Sequence, residues 1–168
     1  MTARFVLLAL CTAFIAGCDY SADERPPGAA DFPRAYRPVS EASGNAFSNE
    51  QQRDDRREAE TVMDEAGVTL GMSVADIGAG EGYYTVRLAN RVGENGRVLA
   101  EDIDEDALRR LGNRIERERL DNVSIVLGTA DDPKLPPSSF DRIFLVHMYH
   151  EVSEPYAFLW RMRPSLRE

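Results

Sequence analysis

The stretch "VADIGAGEGYYT", residues 74–85, decides how the chain is read. A short apolar run carries an acid near its end, Asp76, and then Gly78, Gly80 and Gly82 alternate with other residues ahead of a helix-like segment. Glycine is favoured where the backbone needs positive φ or where another group must lie against it. A tight strand-to-helix turn also leaves free N–H groups at the helix start, ready for a ligand. The spacing is G-x-G-x-G; the dinucleotide fingerprint G-x-G-x-x-G wants its third glycine where Tyr83 stands. Taken alone the turn leaves two readings open, a loop that cradles a ligand and a ligand-free turn that simply favours glycine.

Outward from this stretch, strand and helix signals alternate. Ser48-Asn49-Glu50-Gln51 offers a capping box with Ser48 at the N-cap, and Ala59, Val62, Met63 and Ala66 recur at helical spacing until Gly67. Residues 74–77 read as a first strand, followed by a helix with Val86, Leu88 and Ala89 inward and Gly93 as its stop. Residues 97–103 and 123–127 read as second and third strands around an Arg/Glu-rich helix over 106–120, with Leu108, Leu111 and Ile115 on its apolar side. "DDPKLPPSS" is a loop, residues 140–146 a fourth strand, and Pro155 the first turn of a last helix bearing Phe158, Leu159 and Trp160. Strands that read as apolar runs and alternate with helices predict an α/β fold, a Rossmann-like parallel sheet with helices on both faces.

The order and character of three segments resemble the class I S-adenosylmethionine-dependent methyltransferases. In "VADIGAGEGYYT", Asp76 matches the acid closing the family's first strand; Gly78, Gly80 and Gly82 match the glycines beneath the methionine part of the cofactor. "RVLAEDIDEDAL" resembles the second strand, whose terminal acid takes the ribose hydroxyls; that position is Asp102, with Ile103 next to lie against adenine. One carboxylate offers two acceptor oxygens to two hydroxyl donors. Glu101 and Asp104 flank it and point elsewhere by strand alternation. "VLGTADDPKLPPSSFDRIFLVHMYH" looks like the third-strand end, adenine loop and fourth strand, with Ala130 offering its N–H to adenine and Asp131 an acceptor to the amino group. In the commonest pattern an acid follows the glycine directly; here Thr129 stands there and the loop is longer. The resemblance implies S-adenosylmethionine as cofactor, and a sheet of seven strands. The chain ends before the glycine-rich turn that precedes the last three, so the expectation is a fold truncated after its fourth strand, with an apolar edge there that a partner chain would cover.

The two histidines, His147 and His150, bracket Met148 and Tyr149 after the fourth strand. Ligands in open parallel sheets sit beyond the carboxyl ends of the strands, so "HMYHE" is placed to face the methyl group or its acceptor. His147 then acts as a general base or lines the pocket. A metal site of the two imidazoles with Glu151 is not expected, because alternate side chains splay at a strand end.

The N-terminus carries a different message. "MTARFVLLALCTAFIAGCDY" has a positive start at Arg4 and an apolar run over residues 5–16, too short to span a bilayer core. Ile15-Ala16-Gly17-Cys18 resembles the lipobox of bacterial lipoproteins, which implies lipidation of Cys18 after removal of residues 1–17. An ordinary signal with a chance cysteine, or an uncleaved anchor, stays open. Asp19 looks like the signal for retention at the inner membrane, on the periplasmic side. Residues 18–47, with Pro26, Pro27, Pro33 and Pro38 and few apolar side chains, read as a flexible tether, and 48–168 as the cofactor-binding domain.

Composition narrows the remaining classes. In 168 residues, 43% of them apolar, there is enough for one cored domain. The formal charge is −9 and Lys134 is the single lysine, which argues against nucleic acid as a partner. Cys11 and Cys18 are the only cysteines, so the domain has no disulfide. The expectation is therefore methyl transfer from S-adenosylmethionine to an unidentified acceptor by a membrane-anchored protein. The rivals are a non-enzymatic binding lipoprotein with a degenerate pocket and a nicotinamide-dependent oxidoreductase, the latter disfavoured by Tyr83.

Overall fold

The computed structural model describes residues 25–40 and 49–168. Cys18 and Ser48 lie outside the described residues. Helices α1 (Glu50–Asp55) and α2 (Glu58–Glu65) precede β1 (Ser73–Ile77), α3 (Tyr83–Val92), β2 (Arg97–Asp102), α4 (Glu105–Glu118), β3 (Val123–Leu127), β4 (Arg142–Phe144) and α5 (Pro155–Met162). The four strands form one parallel sheet in the order β3-β2-β1-β4. The reversal of order between β1 and its two neighbours puts the crevice at the end of β1, above the glycine turn.

Strand alternation divides the core. Val74 and Val98 face a cluster with Leu88, Ala89 and Val92 of α3, whereas Ala75 and Ile77 pack with Phe158 and Met162 of α5. Leu108 and Leu111 of α4 close on Ala100 and Ala79. Helices therefore cover both faces of the central strands, as parallel strands require, whereas edge strand β3 leaves Ile125 and Leu127 exposed.

Three boundaries differ from those the sequence predicts. The capping box belongs to Asn49, whose side chain accepts from the Gln52 N–H at 2.9 Å while Gln52 accepts from the Asn49 N–H at 3.2 Å. The single helix expected from there to Gly67 is broken at Arg57, which adopts φ 54° and separates α1 from α2. The fourth strand pairs with β1 only over Arg142–Phe144 rather than 140–146, while Phe140 bridges Leu166 instead.

Residues 25–40 do not behave as a free tether. Arg25 donates to both carboxylate oxygens of Glu154 at 2.6 Å, Arg161 reaches the Gly28 carbonyl, and Phe32 meets Trp160 with ring centroids 6.3 Å apart. Arg37 donates to the carbonyls of Tyr149, His150 and Val152. The outer edge of the fourth-strand segment is also covered at its start: the Phe140 N–H donates to the Ser165 carbonyl at 3.0 Å, and the Arg167 N–H to the Phe140 carbonyl at 2.9 Å. At that point the chain itself occupies the place expected of a partner.

Candidate active site

A cleft of about 1050 Å³ opens over the carboxyl ends of β1 and β2, large for a small-molecule site. Its walls come from the glycine turn (Gly78, Gly80), the end of β2 (Glu101, Asp102, Ile103), the β3 loop (Thr129, Ala130) and the segment after β4 (His147, Met148). Asp102 joins two of these walls. Its Oδ2 accepts from the Gly80 N–H at 2.8 Å and its Oδ1 from the Asp104 N–H at 2.9 Å, so a residue 22 positions downstream fixes the turn. Each oxygen keeps acceptor capacity toward a hydroxyl donor in the cleft. Ile103, 59% exposed, lies open on the cleft wall, as an adenine contact requires.

The glycines do three different jobs. Gly78 has φ +67°, and a Cβ there would meet the Cβ of Met148 at 2.8 Å, so the segment after β4 crosses directly over the turn. Gly80 has φ +54° and open space around it, the arrangement that lets a ligand approach backbone. Gly82 does not line the cleft. It forms the N-cap of α3 at φ +89°, and a Cβ on it would lie 2.4 Å from Leu111 Cδ1, so its bareness serves the packing of α4.

Asp76 also departs from its expected place near a cationic ligand. It lies on the α3 side of β1, buried, and its Oδ2 accepts from the Thr85 hydroxyl at 2.6 Å, which ties the strand to the first turns of the helix. Burial, opposed by the Thr85 bond, pushes its carboxyl up to about 6. Asp131 is likewise turned away. Its carboxylate is held by Arg161 and by the Thr129 hydroxyl, behind the cleft wall that Ala130 forms. An arginine 30 positions away captures the oxygens that the resemblance assigned to adenine.

Strand alternation turns Glu101 away from the ribose position, and the structure makes it the most unusual group at the cleft. Its side chain is 1% exposed, its Oε1 meets no hydrogen-bond donor among the described residues, and Gly128 makes room for it. Burial, then the charges of Asp102 and Asp76, raise its carboxyl to about 8, with the Gly78 N–H pulling the other way. The signal was present in the wrong form: a glutamate at an alternation position that the strand pattern assigns to the interior.

A group that sequence reading missed lies on the other wall. Arg53 of α1 is nearly buried, stacks 3.5 Å from the Tyr83 ring centroid, and donates to Glu58 at 2.7 Å. Arg87 covers the same ring at 3.8 Å, so Tyr83 sits between two guanidinium groups. Glu58 also accepts from the Tyr84 hydroxyl at 3.0 Å and lies 3.2 Å from His147 Nε2. His147 holds φ 59°, a left-handed conformation rare for a side chain-bearing residue, and its ring stands on the cleft wall beside Glu58. His150 faces Glu151 instead, at 3.7 Å, so the two imidazoles diverge.

A doubly covered parallel sheet with a glycine turn and a carboxylate-ended second strand facing one cleft defines a nucleoside-cofactor-binding α/β protein. Comparison with known proteins makes the family specific. Residues 74–168 match the family described as "Methyltransferase domain", and the chain belongs to it. A ubiquinone/menaquinone biosynthesis C-methyltransferase of Hahella chejuensis is 30% identical over 107 residues, covering 63% of this chain and 43% of that protein. Nocamycin O-methyltransferase of Saccharothrix syringae is 34% identical over 83 residues, covering 49% of this chain and 30% of its own. The chain thus spans less than half the length of these curated relatives. Among solved structures, a SAM-dependent methyltransferase from Aquifex aeolicus superposes with TM-score 0.63 at 28% identity, over 72% of this chain and 69% of that one. The [4+2]-cyclase SpnF shares the fold alone, with TM-score 0.62 at 19% identity, over 83% of this chain and 50% of its own.

Proposed function

We propose that the protein transfers the methyl group of S-adenosylmethionine to an acceptor in the cleft, and that it does so as a lipid-anchored protein attached through Cys18. The observation that carries the reading is the Asp102–Gly80 bond, which puts the ribose acid and the glycine turn on one cleft floor. The cofactor supplies an electrophilic methyl group on a sulfonium. The chain's part is placement: Asp102 receives the ribose hydroxyls, Ile103 and Ala130 flank the adenine position, and Met148 over Gly78 narrows the turn against water. Positioning of this kind accounts for much of the rate in a bimolecular displacement. His147 donates from Nε2 to the Glu58 carboxylate on the cleft wall, which leaves Nδ1 to take the proton an oxygen or nitrogen acceptor loses. The relatives include both a C- and an O-methyltransferase.

Calorimetry of the full chain with S-adenosylmethionine and S-adenosylhomocysteine tests the site. Binding of both is expected, weakened about 10- to 100-fold in Asp102→Ala, the loss of charged hydrogen bonds. Asp102→Asn, which keeps an acceptor for the Gly80 N–H, separates loss of the turn from loss of the ribose grip. A folded wild-type chain that takes up neither ligand favours the binding lipoprotein instead. The anchor has its own test: radiolabelled palmitate is incorporated in cells and lost in Cys18→Ser. No helix among the described residues is long and apolar enough to cross a membrane.

A further inference from the structure

Helix α5 buries Ala157, Phe158 and Met162 and turns Tyr156, Leu159 and Trp160 outward, the i, i+3, i+4 spacing of one helical stripe. Trp160 is 62% exposed and Tyr156 53%. The docked segment 25–40 touches this stripe where Phe32 meets Trp160, and it carries exposed Tyr36 and Val39 a few residues on. Charge changes sign here as well. Residues 25–40 and 154–165 together carry five arginines against Asp31 and Glu154, on a chain whose net charge is −9. Glu154 is matched by Arg25, while Arg161 is held by Asp131 from outside the patch.

Exposed tryptophan and tyrosine among arginines suit the headgroup layer of a bilayer, where rings meet the acyl boundary and cations meet anionic lipid. Position adds a second argument. Cys18 precedes Arg25 by seven residues, a reach of roughly 25 Å at full extension. Arg25 is pinned to Glu154 at the start of α5, so a lipid on Cys18 would hold this stripe, and no distant face, close to the membrane.

We propose that the aromatic and basic face formed by Tyr156, Leu159 and Trp160 of α5 with Tyr36 of the docked segment lies against an anionic phospholipid bilayer. This inference rests on the anchored reading of the N-terminus and deepens it by fixing which side of the domain meets the membrane. Arg37 of the docked segment holds the carbonyls of residues 149, 150 and 152, next to the His147 and Met148 that line the cleft, so the face and the cleft margin share one docked segment.

Trp160 is the only tryptophan, so its emission reports this face alone. The full chain carrying Cys18→Ser is titrated with phosphatidylglycerol vesicles containing brominated acyl chains. The expected result is a blue shift and quenching of Trp160, weak on phosphatidylcholine and reduced by salt. The vesicle midpoint should rise about fivefold for each of Arg34→Gln and Arg163→Gln, and quenching should also fall in Tyr156→Ser with Leu159→Ser. The apolar residues 5–16 are the same in every variant, so differences between variants belong to the face. Trp160 emission unaffected by vesicles overturns the proposal, even where palmitate still labels Cys18 in the native chain and the anchor stands. Quenching without palmitate labelling leaves the face and removes the anchor. Burial of Trp160 in a dimer without lipid, seen as a doubled mass in sedimentation, also overturns it in favour of a second copy.

Discussion

Three carboxyls converge beneath the glycine turn, and they differ in what burial does to them. Asp102 faces the cleft and is bonded to two backbone N–H groups, whereas Glu101 and Asp76 are buried and shifted upward. The native Glu101 keeps its proton to about 8, while in the unfolded chain it would lose it near the ordinary 4.5. The native state therefore binds more protons across that window, and stability falls as pH rises through it. Asp76 acts in the same sense between 3.8 and about 6. Glu101→Gln retains an oxygen for the Gly78 N–H and removes the titration. Urea unfolding should show the wild type losing stability from about pH 5 to about pH 9 and the variant losing less. The variant should gain about 1–3 kcal/mol at the alkaline end. Parallel curves for the two proteins would mean that Glu101 is ionised in the native state across the whole range.

At the scale of elements, the glycine motif divides by what each missing side chain allows. Gly82→Ala combines positive φ with a clash against Leu111, backbone strain of about 1–2 kcal/mol plus overpacking of about 1–3 kcal/mol. Its melting temperature should fall by well over the change seen in Gly80→Ala, which meets only the strain. Gly80→Ala should instead lose cofactor affinity in calorimetry, because its methyl group enters the cleft where backbone approach is needed. Equal thermal loss in both variants would show that the two glycines share one role. The same division explains what the sequence made legible. Apolar runs such as residues 123–127 carried strand β3 to the residue, and the glycine turn with Asp102 predicted the two walls that meet at 2.8 Å. Roles set by distant partners stayed hidden. Thr85 claims Asp76, Arg161 claims Asp131, and Leu111 claims the space at Gly82, and no local pattern records those meetings. Arg57 broke the expected helix in a left-handed conformation that carries no glycine to announce it.

For the molecule as a whole, the docked segment 25–40 couples the N-terminus to the cleft. Arg25 satisfies both oxygens of Glu154, a side chain 7% exposed, and Arg37 satisfies three carbonyls of the segment that carries His147 and Met148 into the cleft. Removing the first contact leaves a buried carboxylate without its guanidinium, a strongly unfavourable arrangement that local opening relieves. Arg25→Ala should therefore release the segment while the sheet stays folded. Trypsin should cut after Arg34 faster in the variant, and amide hydrogen exchange of residues 149–153 should rise with it, because those carbonyls lose Arg37. Exchange in β1 and β2 should hardly change, since their ladder does not involve the segment. The charge-swapped pair Arg25→Glu with Glu154→Arg should restore slow cleavage if the ion pair is what docks the segment. Slow cleavage in Arg25→Ala itself would mean that the Phe32–Trp160 contact and Arg37 hold the segment without it, and that a pull on the N-terminus is not transmitted to the cleft through Glu154.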